Sequence, residues 1–133
     1  MSDQRRWSIA PYFVVDDVLA TANFYRDKLG FHYQRLWGEP PCFTIVQRNG
    51  AHLMLRQLES PGQMRPNPSP SDPDDFTWNA YLWIDNADAL YAEFQQKGIN
   101  IVRPICDQEY GCRDFDILDC NGYRLCFGQD LNN

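Results

Sequence analysis

Residues 115–127 read Phe-Asp-Ile-Leu-Asp-Cys-Asn-Gly-Tyr-Arg-Leu-Cys-Phe, and residues 43–55 read Phe-Thr-Ile-Val-Gln-Arg-Asn-Gly-Ala-His-Leu-Met-Leu. Each stretch places an Asn-Gly dipeptide between two alternating apolar runs. This pattern predicts a β-hairpin, because both turn residues are expected at positive φ. Two hairpins in matching register indicate that one structural module is used twice.

The same strand, helix and strand pattern precedes each hairpin. Asp17 and Asn86 stand where helix N-caps are expected, since their side chains can accept backbone N–H groups of the first turn. Gly30 and Gly98 stand where the two helices should end. The predicted elements are strands at 8–16, 33–37, 78–84 and 99–105, and helices at 18–29 and 87–97.

Each half is therefore predicted to be β-α-β-β-β, giving an α+β fold. We expect a single domain over 1–133, with modules at 8–57 and 78–130. One such module leaves a sheet face bare, so two should pair around a cleft with their helices outside. The segment 58–77 is rich in proline and ends in acidic residues, which indicates a linker that can also lie over the cleft.

Composition limits the possible partners. The chain has 133 residues, a formal net charge of -6 and 14% aromatic residues. An acidic chain repels phosphates, so nucleic acid is not expected as a partner. No apolar run is long enough for a membrane span. The N-terminal sequence lacks the apolar run of a signal peptide, and the five cysteines lack metal-site spacing, which together predict reduced thiols in a cytoplasmic protein.

Several motifs resemble the vicinal oxygen chelate superfamily of glyoxalases, extradiol dioxygenases and bleomycin-resistance proteins. The doubled module carries Phe24-Tyr25, Leu29-Gly30-Phe31 and a final Asp119-Cys120-Asn121-Gly122-Tyr123. Residues 110–115 also resemble the Trp-Gly-x-Arg-x-Phe segment of bleomycin-resistance proteins. Cys120 departs from the proline usual in that turn. The resemblance implies the fold and a homodimer with clefts at a two-fold interface, but one fold carries many functions.

Metal-dependent members of that superfamily place a His, Glu or Gln ligand on each of four strands. Counting from the motifs puts Ala10, Met54, Asn79 and Cys126 at those positions. These four residues do not make a site for a hard divalent cation. No metal and no other cofactor is therefore expected.

If those positions face the cleft, strand alternation identifies their neighbours. The facing side chains are mainly aromatic with a few polar groups, as is typical of small-molecule pockets. The candidate ligand-binding residues are Tyr12, Trp37, Phe43, His52, Met54, Asn79, Tyr81, Trp83, Tyr110, Arg124 and Cys126, and alternation adds Val14 and Arg56. Each candidate also has another interpretation. Tyr81 and Trp83 can equally contact a partner subunit instead of a ligand. His52 can be a solvated strand residue, and Cys126 can be a buried thiol.

Two functions follow from these residues and the resemblance. The first is a small-molecule binding protein that sequesters an aromatic or cationic ligand without metal, as in antibiotic resistance; no catalytic residue is assigned. The alternative is a metal-dependent lyase or dioxygenase with a degenerate or displaced metal site. A dimer with a structural or regulatory role and no small ligand is a third, weaker possibility.

Overall fold

The computed structural model describes residues 7–67 and 77–132. The elements in chain order are β1 (Tyr12–Val15), α1 (Val18–Leu29), β2 (Leu36–Trp37), β3 (Phe43–Arg48), β4 (Ala51–Gln57), β5 (Ala80–Ile84), α2 (Ala87–Gln96), β6 (Asn100–Asp107), β7 (Cys112–Leu118) and β8 (Arg124–Asp130). This order confirms the predicted α+β fold of two β-α-β-β-β modules. Residues 68–76, which include the acidic end of the predicted linker, lie outside the described part.

Both helices begin at the predicted caps. The Asp17 side chain accepts the backbone N–H of Ala20, and the Asn86 side chain accepts that of Ala89. Gly30 ends α1 at a φ of 74°, a left-handed conformation that glycine adopts without a Cβ penalty. No helix in the described ranges is long and apolar enough to cross a membrane.

The two hairpin turns differ, although both contain Asn-Gly. Asn49 and Gly50 have φ values of 49° and 91°, as predicted for a two-residue turn. In the second hairpin only Gly122 has a positive φ, so the prediction of a matching turn is wrong there. The cause is Asp119, whose carboxylate accepts the backbone N–H groups of Asn121 and Tyr123 and stabilises a longer loop.

Each module forms one mixed four-stranded sheet. The strand orders are β1-β4-β3-β2 and β5-β8-β7-β6. In each sheet the strand before the helix pairs in parallel with the last strand of its module, and the other pairs are antiparallel. As a result β1 and β5 are edge strands of their sheets.

The two modules pack through their helix-bearing faces. One apolar core includes residues of both sheets and both helices. The Phe13 ring on β1 stacks on Tyr123 at 4.2 Å between centroids, and Tyr25 on α1 donates a 2.7 Å hydrogen bond to Asp119. Within one chain the sheets turn their other faces away from this core, because burying the apolar helix-bearing faces joins the modules.

Asp119 at this junction should make stability depend on pH. Burial raises its pKa above the usual carboxyl value, against the opposing effect of the Tyr25 and backbone hydrogen bonds. The folded state then binds more protons than the unfolded state, so this residue lowers stability as pH rises from about 4 towards 7. Asn at position 119 keeps an acceptor for the two backbone N–H groups and cannot ionise.

We therefore expect Asp119→Asn to remove this loss and to match or exceed the wild-type free energy of unfolding at pH 7. Urea denaturation across that pH range measures the effect. Asp27→Asn serves as a control, since Asp27 is exposed on α1 and its pKa is lowered by Arg26. Parallel wild-type and Asp119→Asn curves would contradict the prediction.

Candidate functional site

Each sheet has a face opposite the shared core, and we call these the first and second open faces. Strand alternation assigns them, because Phe13, Leu53, Leu82 and Leu125 point into the core. Four large aromatic side chains on or beside these faces are markedly solvent-exposed: Tyr12 (55%), Trp37 (37%), Trp83 (65%) and Tyr110 (47%). Contiguous exposed aromatic surface is typical of interaction sites.

The first open face belongs to the first module. Val14, Arg56, Phe43 and Trp37 form one row across its four strands, and Tyr12 and Met54 pair in the next row. The Phe43 ring lies 5.6 Å from Trp37 and 6.3 Å from Tyr12. We call this aromatic surface, formed by Tyr12, Phe43 and Trp37 with Arg56 in its middle, the aromatic shelf.

The second open face belongs to the second module. Trp78, Tyr81 and Trp83 form a run of rings whose successive centroids are 4.9 Å apart. A row of paired residues runs from Tyr81 across the other three strands of the sheet. It continues through Cys126, Asp116 and Arg103. The face therefore combines aromatic rings with buried charges.

Two fully buried aspartates, Asp114 and Asp116, bind two arginines on this face. Arg103 donates through Nη2 to Asp114 Oδ1 at 2.7 Å and to Asp116 Oδ1 at 2.6 Å. Arg124 donates through Nε to Asp116 Oδ2 at 2.8 Å. Trp78 also donates to Asp116, while Tyr81 and Tyr110 donate to Asp114. Two carboxylates and two guanidiniums balance, so this network adds no net charge to the open face.

The network fixes protonation states. Burial raises the pKa of Tyr81 and of Tyr110, and hydrogen bonding to Asp114 adds to the effect. Burial also raises the pKa of the Cys126 thiol, with further contributions from Asp116 and Asp114. Both phenols and the thiol therefore stay protonated near neutral pH, and Cys126 is a poor nucleophile because the thiolate is the reactive form.

Gly128 makes room for Tyr81 on this face. It is the glycine of this chain whose φ is not positive, so the backbone does not require it. A Cβ at position 128 would overlap the hydroxyl and ring of Tyr81. The absence of a side chain on β8 thus lets Tyr81 cross that strand and reach Asp114 on β7.

Gly128→Ala is expected to lower the free energy of unfolding by about 1–3 kcal/mol, because Tyr81 must leave its place. In a Tyr81→Ala background the same change should cost under about 1 kcal/mol, since the overlap is gone. Chemical denaturation of the four proteins in this double-mutant cycle measures both values. An equal cost in the two backgrounds would show that Gly128 does not act through Tyr81.

The structure divides the sequence-predicted site residues between the two faces. Tyr12, Trp37, Phe43 and Met54 lie on the first face, and Tyr81, Trp83, Arg124 and Cys126 on the second, with Tyr110 in the loop beside it. Arg124 and Cys126 are 7% and 0% exposed and so form part of the floor. Asn79 accepts the backbone N–H of Arg124 and lines a smaller pocket together with Tyr12. Exposed His52 contacts the Gly50 carbonyl at 2.9 Å and lines a cavity together with Tyr81 and Trp83.

The donors at the superfamily's metal positions do not fit a divalent cation. The Met54 thioether is not a ligand for a hard cation, and burial holds the thiol of Cys126 protonated. Asp114 and Asp116 are already bound by arginines. Across residues 7–67 and 77–132, no group of three or more His, Cys, Asp or Glu side chains is placed to hold a metal ion.

A cavity of about 840 Å³ lies between the β3–β4 turn, β5 and α2. This space is present because equivalent positions of the two modules carry side chains of different size. At the other junction Phe13 packs on Tyr123, whereas the corresponding residues here are the smaller Leu82 and Ala51. The Arg48–Glu93 ion pair at 2.8 Å joins the modules beside this space.

Sequence reasoning missed Arg103, Asp114, Asp116 and Trp78. A signal was present, because Asp-Phe-Asp at 114–116 alternates charged and aromatic residues on a strand. Extending the alternation from β8 to β7 would have placed both aspartates beside Cys126. Arg103 was less accessible to such reasoning, since β6 has irregular pairing on both sides of it.

Comparison with solved structures supports the fold. TioX from Micromonospora sp. ML1 superposes with a TM-score of 0.72 at 17% identity, over 95% of this chain and 100% of that one. A glyoxalase-related enzyme from Clostridium phytofermentans gives 0.73 at 15%, over 98% and 99%. The bleomycin-binding protein of bleomycin-producing Streptomyces verticillus, complexed with copper(II)-bleomycin, gives 0.66 at 20%, over 93% and 96%.

Comparison with curated proteins gives no significant match. The sequence itself matches a family model over residues 9–127, nearly its whole length. The strand orders, the duplicated module and this match agree. The chain belongs to the Glyoxalase/Bleomycin resistance protein/Dioxygenase superfamily.

Proposed function

We propose that this protein binds an aromatic small molecule in a groove between a first and a second open face, without using a metal. The observation that carries the proposal is the exposure of Tyr12, Trp37, Trp83 and Tyr110 on or beside these faces. Rings of this kind stack on planar ligands and supply a large apolar contact area.

The groove is assembled by two copies of the chain. Within one chain the two open faces point away from a shared core, so a first face needs the second face of a partner. Two further features favour this homodimer. β1 and β5 are sheet edges, which can pair with further strands. Trp7 and Ile9, just before β1, are 100% and 93% exposed, as expected for residues that a partner covers.

The bleomycin-binding neighbour supports a small-molecule ligand, although its likeness to this chain is one of fold. An aromatic ligand fits the open faces better than a purely cationic one. A cation would need free carboxylates, and Asp114 and Asp116 are each bound by an arginine. We infer that ring stacking supplies most of the affinity and that the biological role is sequestration.

Calorimetric titration of metal-stripped protein tests this function. We expect saturable binding of 2-naphthamide, a neutral planar probe, or of bleomycin, without added metal. Sedimentation should give twice the mass of one chain. Stoichiometric nickel, zinc, iron or manganese in freshly purified protein would favour the lyase or dioxygenase alternative. Failure of every planar probe to bind at millimolar concentration would refute the proposal.

A further inference from the structure

The first open face carries two arginines that no carboxylate of the described residues neutralises. Arg56 lies in the middle of the aromatic row, between Val14 and Phe43. Its Nε is buried and has no hydrogen-bond partner within residues 7–67 and 77–132. Arg35 lies over the Trp37 ring, 4.7 Å from its centroid. Tyr12, the other exposed aromatic residue of this face, lies on β1, the strand that pairs with β4, which carries Arg56.

A buried donor without an acceptor is unfavourable. Leaving it unpaired costs the desolvation free energy of the group, which is larger for a charged group. Buried polar groups in proteins are nearly always paired, so an exception needs an explanation. An incoming acceptor that binds Arg56 would remove the cost.

The opposite wall of the proposed groove offers no such acceptor at its centre. Asp114 and Asp116 are 0% exposed and engaged by Arg103 and Arg124. Joining a first and a second open face therefore leaves the charge of Arg56 uncompensated by this network. The chain as a whole is acidic, at -6, so a cationic spot in the groove is a local feature.

We propose, on the basis of the proposed function, that the ligand is an aromatic anion whose carboxylate, or a comparable oxyanion, binds Arg56. Its ring stacks on Phe43 and Trp37. A guanidinium can bind a carboxylate through two parallel N–H donors, which sets orientation as well as affinity. Arg35 stays stacked on Trp37 at the edge of the shelf and adds positive charge. The expected ligand thus differs from the cationic class that acidic composition alone suggests.

Three naphthalene probes of one shape test the sign of the charge: 2-naphthoate, 2-naphthamide and 2-naphthylmethylammonium. Dissociation constants follow from NMR titration of the tryptophan indole N–H signals. We expect the wild-type protein to bind 2-naphthoate at least about 10-fold more tightly than 2-naphthamide, since hydrogen bonds to charged groups are the stronger ones. This preference should weaken with added salt.

Arg56→Gln should remove the preference for 2-naphthoate, so that this variant binds 2-naphthoate and 2-naphthamide with affinities within about 2-fold of each other, because one charged donor set is lost while the rings remain. Arg26→Gln, on the exposed part of α1, should change neither value. Should Arg56→Gln fail to fold, the wild-type preference and its salt dependence decide the matter.

Equal wild-type affinity for 2-naphthoate and 2-naphthamide, or preference for the ammonium probe, would overturn this inference and leave the proposed function intact. A preference for 2-naphthoate that persists in folded Arg56→Gln would also overturn it. Absence of binding by all three probes would instead overturn the proposed function, and the inference with it.

Discussion

Asp116→Ala is expected to lower the free energy of unfolding by about 3–5 kcal/mol, the usual effect of removing one partner of a buried ion pair. The Asp116 carboxylate is fully buried and accepts hydrogen bonds from Arg103, Arg124 and Trp78. Its loss leaves Arg103 paired with Asp114 and removes the carboxylate that Arg124 binds. Urea denaturation at neutral pH measures the change.

Asp88→Ala is the matched control. Asp88 also binds an arginine, Arg113, at 3.0 Å, but its side chain is 66% exposed. Solvent screens such a pair, so we expect a loss of about 0–1 kcal/mol. The double variant Asp116→Ala/Arg124→Met should recover part of the loss, because it restores one carboxylate to one guanidinium. Equal effects of Asp116→Ala and Asp88→Ala would show that the network does not stabilise the second sheet.

Trp37→Ala and Trp83→Ala are each expected to weaken binding of a naphthalene probe by at least about 30-fold, as truncation of a central aromatic contact typically costs 2 kcal/mol or more. Trp83 is 65% exposed, so its loss should leave the free energy of unfolding nearly unchanged. Fluorescence anisotropy of the probe measures affinity, and denaturation measures stability.

Leu19→Ala controls for the loss of exposed apolar surface in general. Leu19 is 45% exposed on α1, away from both open faces. We expect it to bind the probe as the wild-type protein does. If Leu19→Ala weakened binding as much as Trp83→Ala, the aromatic faces would not be the binding site.

The repeated Asn-Gly patterns and helix caps were sufficient to predict the two modules, because these are local signals of turn and helix geometry. The faces of the strands were also predictable, since alternation separates Leu53 and Leu125 from Met54 and Cys126. The second turn was predicted incorrectly. Its shape depends on the Asp119 carboxylate, which Tyr25 of the other module also contacts, and such a long-range contact leaves no local pattern.

The arrangement of the modules was less accessible to sequence reasoning for the same reason. Alternation shows which residues share a face, but it does not show which faces meet. The Phe13–Tyr123 stack and the Tyr25–Asp119 hydrogen bond join distant parts of the chain. The charge of the site was equally hidden, because Asp114 and Asp116 contribute no net charge once Arg103 and Arg124 bind them.

Mixing two inactive variants tests most directly whether each groove joins a first open face to a partner's second open face. Trp37→Ala disables the first face of one chain, and Trp83→Ala disables the second face of the other. Random reassociation should form heterodimers in which one groove carries both changes and the other carries neither. About one groove in four then regains wild-type affinity for the naphthalene probe that binds most tightly. A mixture that binds no better than the separate variants would contradict this account.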